Sequence, residues 1–191
     1  MGLQLPGTKS VCVVRPASQR DAAACEGIDL DAVEASLPPS VVAYSVQNTA
    51  DSDMGMQVVR MGKPKQELND EAMTVLVGGA RKGIAKVAPG ATTGGLTKGA
   101  DFDKVKTSDG GTAFRFLQVL PDGANDGYDR ILSYVAVSGE SLYTLRLELP
   151  AALLAQAVPA SEKLVAAMRL TAAPPAAAPQ PAASAPTPPK K

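Results

Sequence analysis

Four strand-length segments follow one another between residues 102 and 149, separated only by short polar turns. They are Phe102 to Lys106, Thr112 to Leu120, Tyr128 to Ser138 and Ser141 to Leu149. Parallel neighbours need a crossover of about a dozen residues or more, and these turns are too short for one. The four segments are therefore expected to form an antiparallel meander. The first turn, Thr107-Ser108-Asp109-Gly110-Gly111, contains the Asp-Gly pair favoured in tight hairpins. The last segment alternates strictly. Tyr143, Leu145, Leu147 and Leu149 face one way, and Leu142, Thr144, Arg146 and Glu148 the other. That pattern describes a strand with one buried face and one wetter face.

The rest of the chain adds strands and one strong helix. Ser10 to Val14 is β-branched and ends before Pro16, which reads as a first strand. Asp21 to Gly27 and Asp29 to Leu37 read as short helical turns, the second ended by Pro38-Pro39. Val41 to Gln47 and Met56 to Met61 read as a hairpin around a polar tip, closed by Gly62-Lys63-Pro64. Asn69 to Val87 carries apolar residues at Met73, Leu76, Val77, Ala80, Ile84 and Val87, one face of a 3.6-residue period. Asn69 or Asp70 can cap it, and Pro89-Gly90 ends it. Gly78, Gly79 and Gly83 are consistent either with close packing on a sheet or with a break. Gly90 to Ala100 reads as a loop. Ala151 to Val158 reads as a turn of helix, and Pro159 opens a separate last helix with Leu164, Val165 and Met168 inward.

The end of the chain has a different composition. Thr171 to Lys191 holds seven of the 16 prolines, eight alanines, no acid and two terminal lysines. Proline blocks both helix and ladder, and alanine buries little area, so this stretch is expected to be disordered. The expected organisation is a flexible lead over 1–9, a single domain over 10–170 and a disordered tail over 171–191. The charges of the whole chain balance, 19 basic against 19 acidic. Because the tail takes two lysines and no acid, residues 1–170 hold 17 basic and 19 acidic groups. Without a strong field of one sign, nucleic acid is a poor partner. No apolar run reaches the length of about 18 residues that marks a bilayer-spanning helix.

The chain contains no histidine and no tryptophan. Histidine is the side chain that ordinarily titrates near neutral pH, so Ser-His-Asp and Cys-His nucleophile systems and HExxH zinc sites are excluded. The glycine stretches Gly78 to Gly83 and Gly90 to Gly95 lack the Lys-Ser/Thr that completes a phosphate loop. Asp51-Ser52-Asp53-Met54-Gly55 lacks the third ligand and distal glutamate of a calcium loop. Asp122, Asn125 and Asp126 read likewise as a polar turn. No catalytic set, metal site or cofactor is expected. Cys12 and Cys25, thirteen positions apart, fit a disulfide in an oxidising compartment or two buried free thiols. A bridge over such a loop is worth about 3 kcal/mol in the chain-entropy account.

The helix over Met73 to Val87, the Tyr143 to Leu149 strand and the closing Glu162-Lys163-Leu164-Val165-Ala166-Ala167-Met168-Arg169-Leu170 come in a familiar order. Short strand, hairpin, long helix, antiparallel meander and C-terminal helix together resemble the PsbP-like family. The resemblance rests on the order of elements over residues 8–170. It implies a central antiparallel sheet with helices on both sides. It implies no shared active-site residue, since that family hosts none in common. The expected class is α+β, with a six- to seven-stranded, mainly antiparallel sheet.

The expected function is a non-catalytic binding or accessory module with a protein partner. The alternatives are a cytoplasmic chaperone-like or regulatory protein and a carboxylate- or Tyr/Lys-based enzyme. Met1-Gly2-Leu3-Gln4-Leu5-Pro6 has no apolar stretch of signal-peptide length. The expected location is extracytoplasmic if an upstream signal has been removed, and cytoplasmic otherwise.

Overall fold

β-branched and alternating segments pair into one eight-stranded sheet in the computed structural model, which describes residues 8–49, 53–64, 66–124 and 127–167. In chain order the elements are β1 (Thr8–Arg15), α1 (Leu30–Ser36), β2 (Val41–Thr49), β3 (Asp53–Arg60), α2 (Asp70–Val87), β4 (Thr92–Gly94), β5 (Asp103–Lys106), β6 (Thr112–Val119), β7 (Arg130–Ser138), β8 (Ser141–Leu149) and α3 (Ala151–Ala166). Two single 3-10 turns, Ala17–Gln19 and Ala23–Cys25, lie between β1 and α1. β1 opens at Thr8, two residues earlier than expected. The remainder of the lead (1–7), Met168, expected to face inward, and the tail (171–191) lie outside the described residues.

The strand order is β1-β2-β3-β8-β7-β6-β4, with β5 also paired to β6, and every pairing is antiparallel. The α+β plan holds, with one strand more than expected. The extra strand is β4, which lies in what reads as a glycine- and threonine-rich loop. Its three residues pair with Leu117, Gln118 and Val119, and β5 takes the other half of the same edge of β6. The loop after β4 folds tightly back on itself. A Cβ on Gly95 would come within 3.1 Å of the Phe102 carbonyl carbon and 3.2 Å of the Ala100 Cβ, so a larger residue there would push its neighbours apart by a few tenths of an ångström.

Helices cover both faces. On one face, Leu153, Ala157, Ser161 and Val165 of α3 are buried at four-residue spacing. Leu153, Ala157 and Val165 join Met54, Met56, Leu132, Tyr134, Leu145, Leu147 and Leu149 in the largest apolar cluster. On the other face Met73 and Val77 of α2 pack on Phe114, Phe116 and Val135. β7, covered from both sides, is buried from Ile131 through Ala136, which explains its nearly continuous apolar run. Over β1 and β2 the second face is closed by Cys12, Val14 and Cys25 with Leu30, Val33, Leu37 and Tyr44. Arg15 and Arg20 both grip Glu34 of α1. The hydrogen bond from Arg15, with both guanidinium charges, holds the Glu34 carboxyl below the usual range despite desolvation.

Two expectations about helices change. α2 is unbroken through Gly78, Gly79 and Gly83, and a Cβ at any of them would meet nothing within 4 Å, so none serves close packing. Ala151–Ala166 is one helix, with Pro159 inside it, rather than two elements divided there. An interior proline costs about 3 kcal/mol against alanine. Burying Leu153 and Val165 on the same sheet face, at about 1.5–3 kcal/mol each, offsets that cost. The helix has no side-chain cap of its own at Pro150. Asp129 supplies one from before β7, its Oδ1 accepting from the Ala151 N–H at 2.6 Å.

A buried guanidinium ties these layers together. Arg115 of β6 points to the α3 side, beside its cross-strand neighbour Tyr134. It donates from Nε and Nη2 to Asp103 Oδ2 at 3.3 and 3.0 Å, and from Nη1 to Glu162 of α3. The Arg115 and Asp103 side chains are only 10% and 9% exposed. Asp103 also accepts from the backbone N–H groups of Leu96 (2.7 Å) and Thr97 (3.1 Å). Burial alone would raise the Asp103 pKa. The hydrogen bonds from Thr97, Leu96 and Arg115 outweigh it and hold the carboxyl below its ordinary value. Tyr134 meets Ser161 of α3 through a 2.7 Å hydroxyl–hydroxyl hydrogen bond.

Pro159→Ala is expected to stabilise the protein by about 1–3 kcal/mol, since Pro159 is exposed and the change restores an N–H donor to α3. Urea unfolding reads this directly. Arg115→Met should lose about 3 kcal/mol in the same assay, because it leaves the buried Asp103 carboxylate without its counter-charge. With its folded pKa depressed, Asp103 contributes stability that is complete above the unfolded value of about 3.9 and is lost as pH falls through the lower folded value. The acid limb of a stability–pH curve should therefore flatten in Asp103→Asn, with a residual slope from Glu34, whose shift has the same sign.

Candidate binding groove

α2 lies over β6 and β7, and the α1 segment lies over β1 and β2. Between them β3 and β8 keep part of the second sheet face open. A groove of about 480 Å³ runs there, with α2 as one wall. The wall consists of Leu76, Ala80, Gly83, Ile84 and Val87. The sheet supplies the floor, and the pairing registers sort it into two rows. One row is Val59, Thr144 and Val135, directly opposite one another across β3, β8 and β7. The next row is Gln57, Arg146, Ser133 and Phe116, across β3, β8, β7 and β6. Two residues along a strand separate the rows, about 7 Å.

The groove is therefore polarised along its length. Met61, 57% exposed, lies beyond the first row at the apolar end. Met61 is held at β8 by a backbone bond to Leu142 O (2.8 Å), and its sulfur accepts from the Thr144 hydroxyl (3.3 Å). At the other end Gln57, Ser133 and Arg146 bring amide, hydroxyl and guanidinium groups together, with Gln118 beside them. Gln118 is engaged, donating to Ala80 O of α2 at 3.4 Å. Among the described residues Arg146 is the one charged side chain in the lining. It forms an ion pair with Glu148 at 2.8 Å, and its buried Nε has no hydrogen-bond partner among the described residues. The Glu148 charge also reaches Tyr44 and Tyr128, whose hydroxyl pKa values rise, first from burial and further from this and neighbouring negative charge.

All four floor strands are interior to the sheet, so their backbone donors and acceptors are already used in the ladders. What the groove offers is side chains: an apolar wall, an apolar row and a polar row around one cation. This is the composition of a small-molecule site, mostly apolar with a few converging polar groups. Among the described residues no proton-transfer pair faces into it.

Cys12 and Cys25, singled out in the sequence, lie away from the groove. Their sulfurs are 2.08 Å apart and their Cα atoms 4.7 Å, within disulfide geometry. The pair joins β1 to the 3-10 turn that precedes α1 and sits in the apolar cluster under α1. Asp53 opens β3, while Asp51, Ser52, Asn125 and Asp126 lie outside the described residues. Arg81 of α2 donates to Thr93 O of β4 and pairs with Asp101. Among the described residues no three His, Cys, Asp or Glu side chains gather as for a metal ion, and no helix is long and apolar enough to cross a membrane.

The groove residues were not singled out by sequence. Leu142, Thr144, Arg146 and Glu148 read as a wet strand face, yet all four are half-buried. The alternation contained the signal that this face mixes one cation with apolar and hydroxyl groups. Nothing local indicated which helix would flank it.

No family model matches the chain, and no curated protein matches it. Among solved structures the chain is similar to the solution structure of cyanobacterial PsbP (CyanoP) from Synechocystis sp. PCC 6803. The identity is 17% and the TM-score 0.47, over 69% of this chain and 74% of that one. That protein bears the name of the family that the order of elements resembles, and no residue role is carried over from it.

Proposed function

We propose that this chain is a non-catalytic binding module with an accessory role, working outside the cytoplasm through the groove between α2 and the sheet. The observation that carries this reading is the groove lining. Among the described residues it combines a recess of small-molecule size with a single charged side chain, Arg146, and no second titratable group with which to move a proton. Carboxylate or Tyr/Lys chemistry requires at least two such groups converging on one point. The extracytoplasmic part rests on Cys12 and Cys25. A structural bridge persists where thiols are oxidised and is rare in the reducing cytosol.

Two measurements test the two halves. Thiol titration of denatured, unreduced protein, taken from its native compartment, should find no free thiol. Two free thiols would instead place it with cytoplasmic accessory proteins. Gly83→Phe puts a ring into the groove from an exposed helix position where a Cβ meets nothing within 4 Å. Quantitative capture from source-cell extract with wild type and Gly83→Phe as baits should show enrichment that the variant loses. Equal enrichment by both would remove the groove from the function.

A further inference from the structure

We infer that the groove takes a small anionic amphiphile, a carboxylate head on a flexible apolar body, bound head-down on Arg146. This deepens the proposed binding role and rests on it. The head site is the row Gln57, Arg146 and Ser133, where register places an amide and a hydroxyl on either side of the guanidinium. The body runs over the next row, Val59, Thr144 and Val135, along the α2 wall of Leu76 and Ala80 toward Met61. Charge selects the head. Among the described residues Arg146 is the only ion in the lining, and a guanidinium gives a carboxylate a charge-assisted hydrogen bond. Glu148 takes Nη2 and Nε is buried, so the head is met by Nη1 of the guanidinium with Gln57 and Ser133 beside it.

The shape favours a small molecule over a protein segment. The volume lies within the 300–1,000 Å³ typical of small-ligand sites. An extended peptide would find no free ladder position, because every floor strand is already paired on both sides. A partner helix, which satisfies its own backbone, is the competing occupant and is an outcome of the test.

Isothermal titration of the full chain compares three probes: decanoate, decanol and acetate. Decanoate should bind saturably at one site, at least about tenfold tighter than decanol, as expected for a charge-assisted hydrogen bond. Acetate, without the apolar body, should show no saturable binding. Arg146→Gln should bring decanoate down to the affinity of decanol, and Arg146→Lys should keep part of the preference. Gly83→Phe should abolish binding of both chains. Thermal melts of each variant separate lost binding from lost folding.

Three results overturn the inference: no saturable decanoate binding, equal affinity for decanoate and decanol, or a preference that survives in Arg146→Gln. If decanoate fails while extract capture still depends on Gly83, the anionic amphiphile is refuted and a protein segment is the occupant. If capture also ignores the groove, the binding role itself falls.

Discussion

One guanidinium, on Arg115, holds together parts of the fold that the chain brings from far apart. It comes from β6, reaches Asp103 of β5 and Glu162 of α3, and lies beside Tyr134 of β7. Asp103 in turn fixes the loop after β4 through two backbone N–H groups. A charge this deeply buried is tolerable only if its partners are all in place. The order of the loop, the seat of α3 and the edge of β6 therefore depend on one another. That coupling also decides the other face. β6 carries Phe114 and Phe116 toward α2 and Arg115 away from it, so fixing Arg115 fixes the floor against which α2 rests.

The groove follows from how the helices share the sheet. A helix with its side chains is about 10 Å across, and strands are about 4.8 Å apart, so one helix covers roughly two strands. α2 takes β6 and β7, and the α1 segment takes β1 and β2. β3 and β8 are left in the middle of that face. On the α3 side the same two strands are fully used by Met54, Met56, Leu145, Leu147 and Leu149. β8 thus has a sealed face and an open one, and Arg146 is on the open one because its neighbours at 145 and 147 are core.

Much of the plan is written locally. The alternation of β8, the Asp109-Gly110 turn and the periodicity from Met73 to Val87 each act within a few residues; the structure keeps the first two, and in the helix it buries Met73 and Val77 while Val87 at the far end stays exposed. β4 was hidden because three residues rich in threonine and glycine have no period. They become a strand only because β6 offers an edge. Pro159 read as a boundary for the opposite reason. The local rule is sound, but the four-residue stripe of α3 is buried on the sheet, and that burial outweighs the missing N–H.

For the candidate site the division is sharper. Residue order alone rules out histidine chemistry, sets a cationic outer position at 146 on an alternating strand, and spaces two cysteines thirteen apart. Whether those cysteines could meet depended on the return of the chain from β1 through a 3-10 turn, which brings their Cα atoms to 4.7 Å. Which side chains stand beside Arg146 was decided by tertiary structure alone. Gln57, Ser133 and Phe116 lie 89, 13 and 30 positions away along the chain and become neighbours through three strand registers. The physical reason is range. Propensity, capping and turn chemistry act over a few residues, whereas register is set by the burial of whole faces against helices that arrive from elsewhere in the chain.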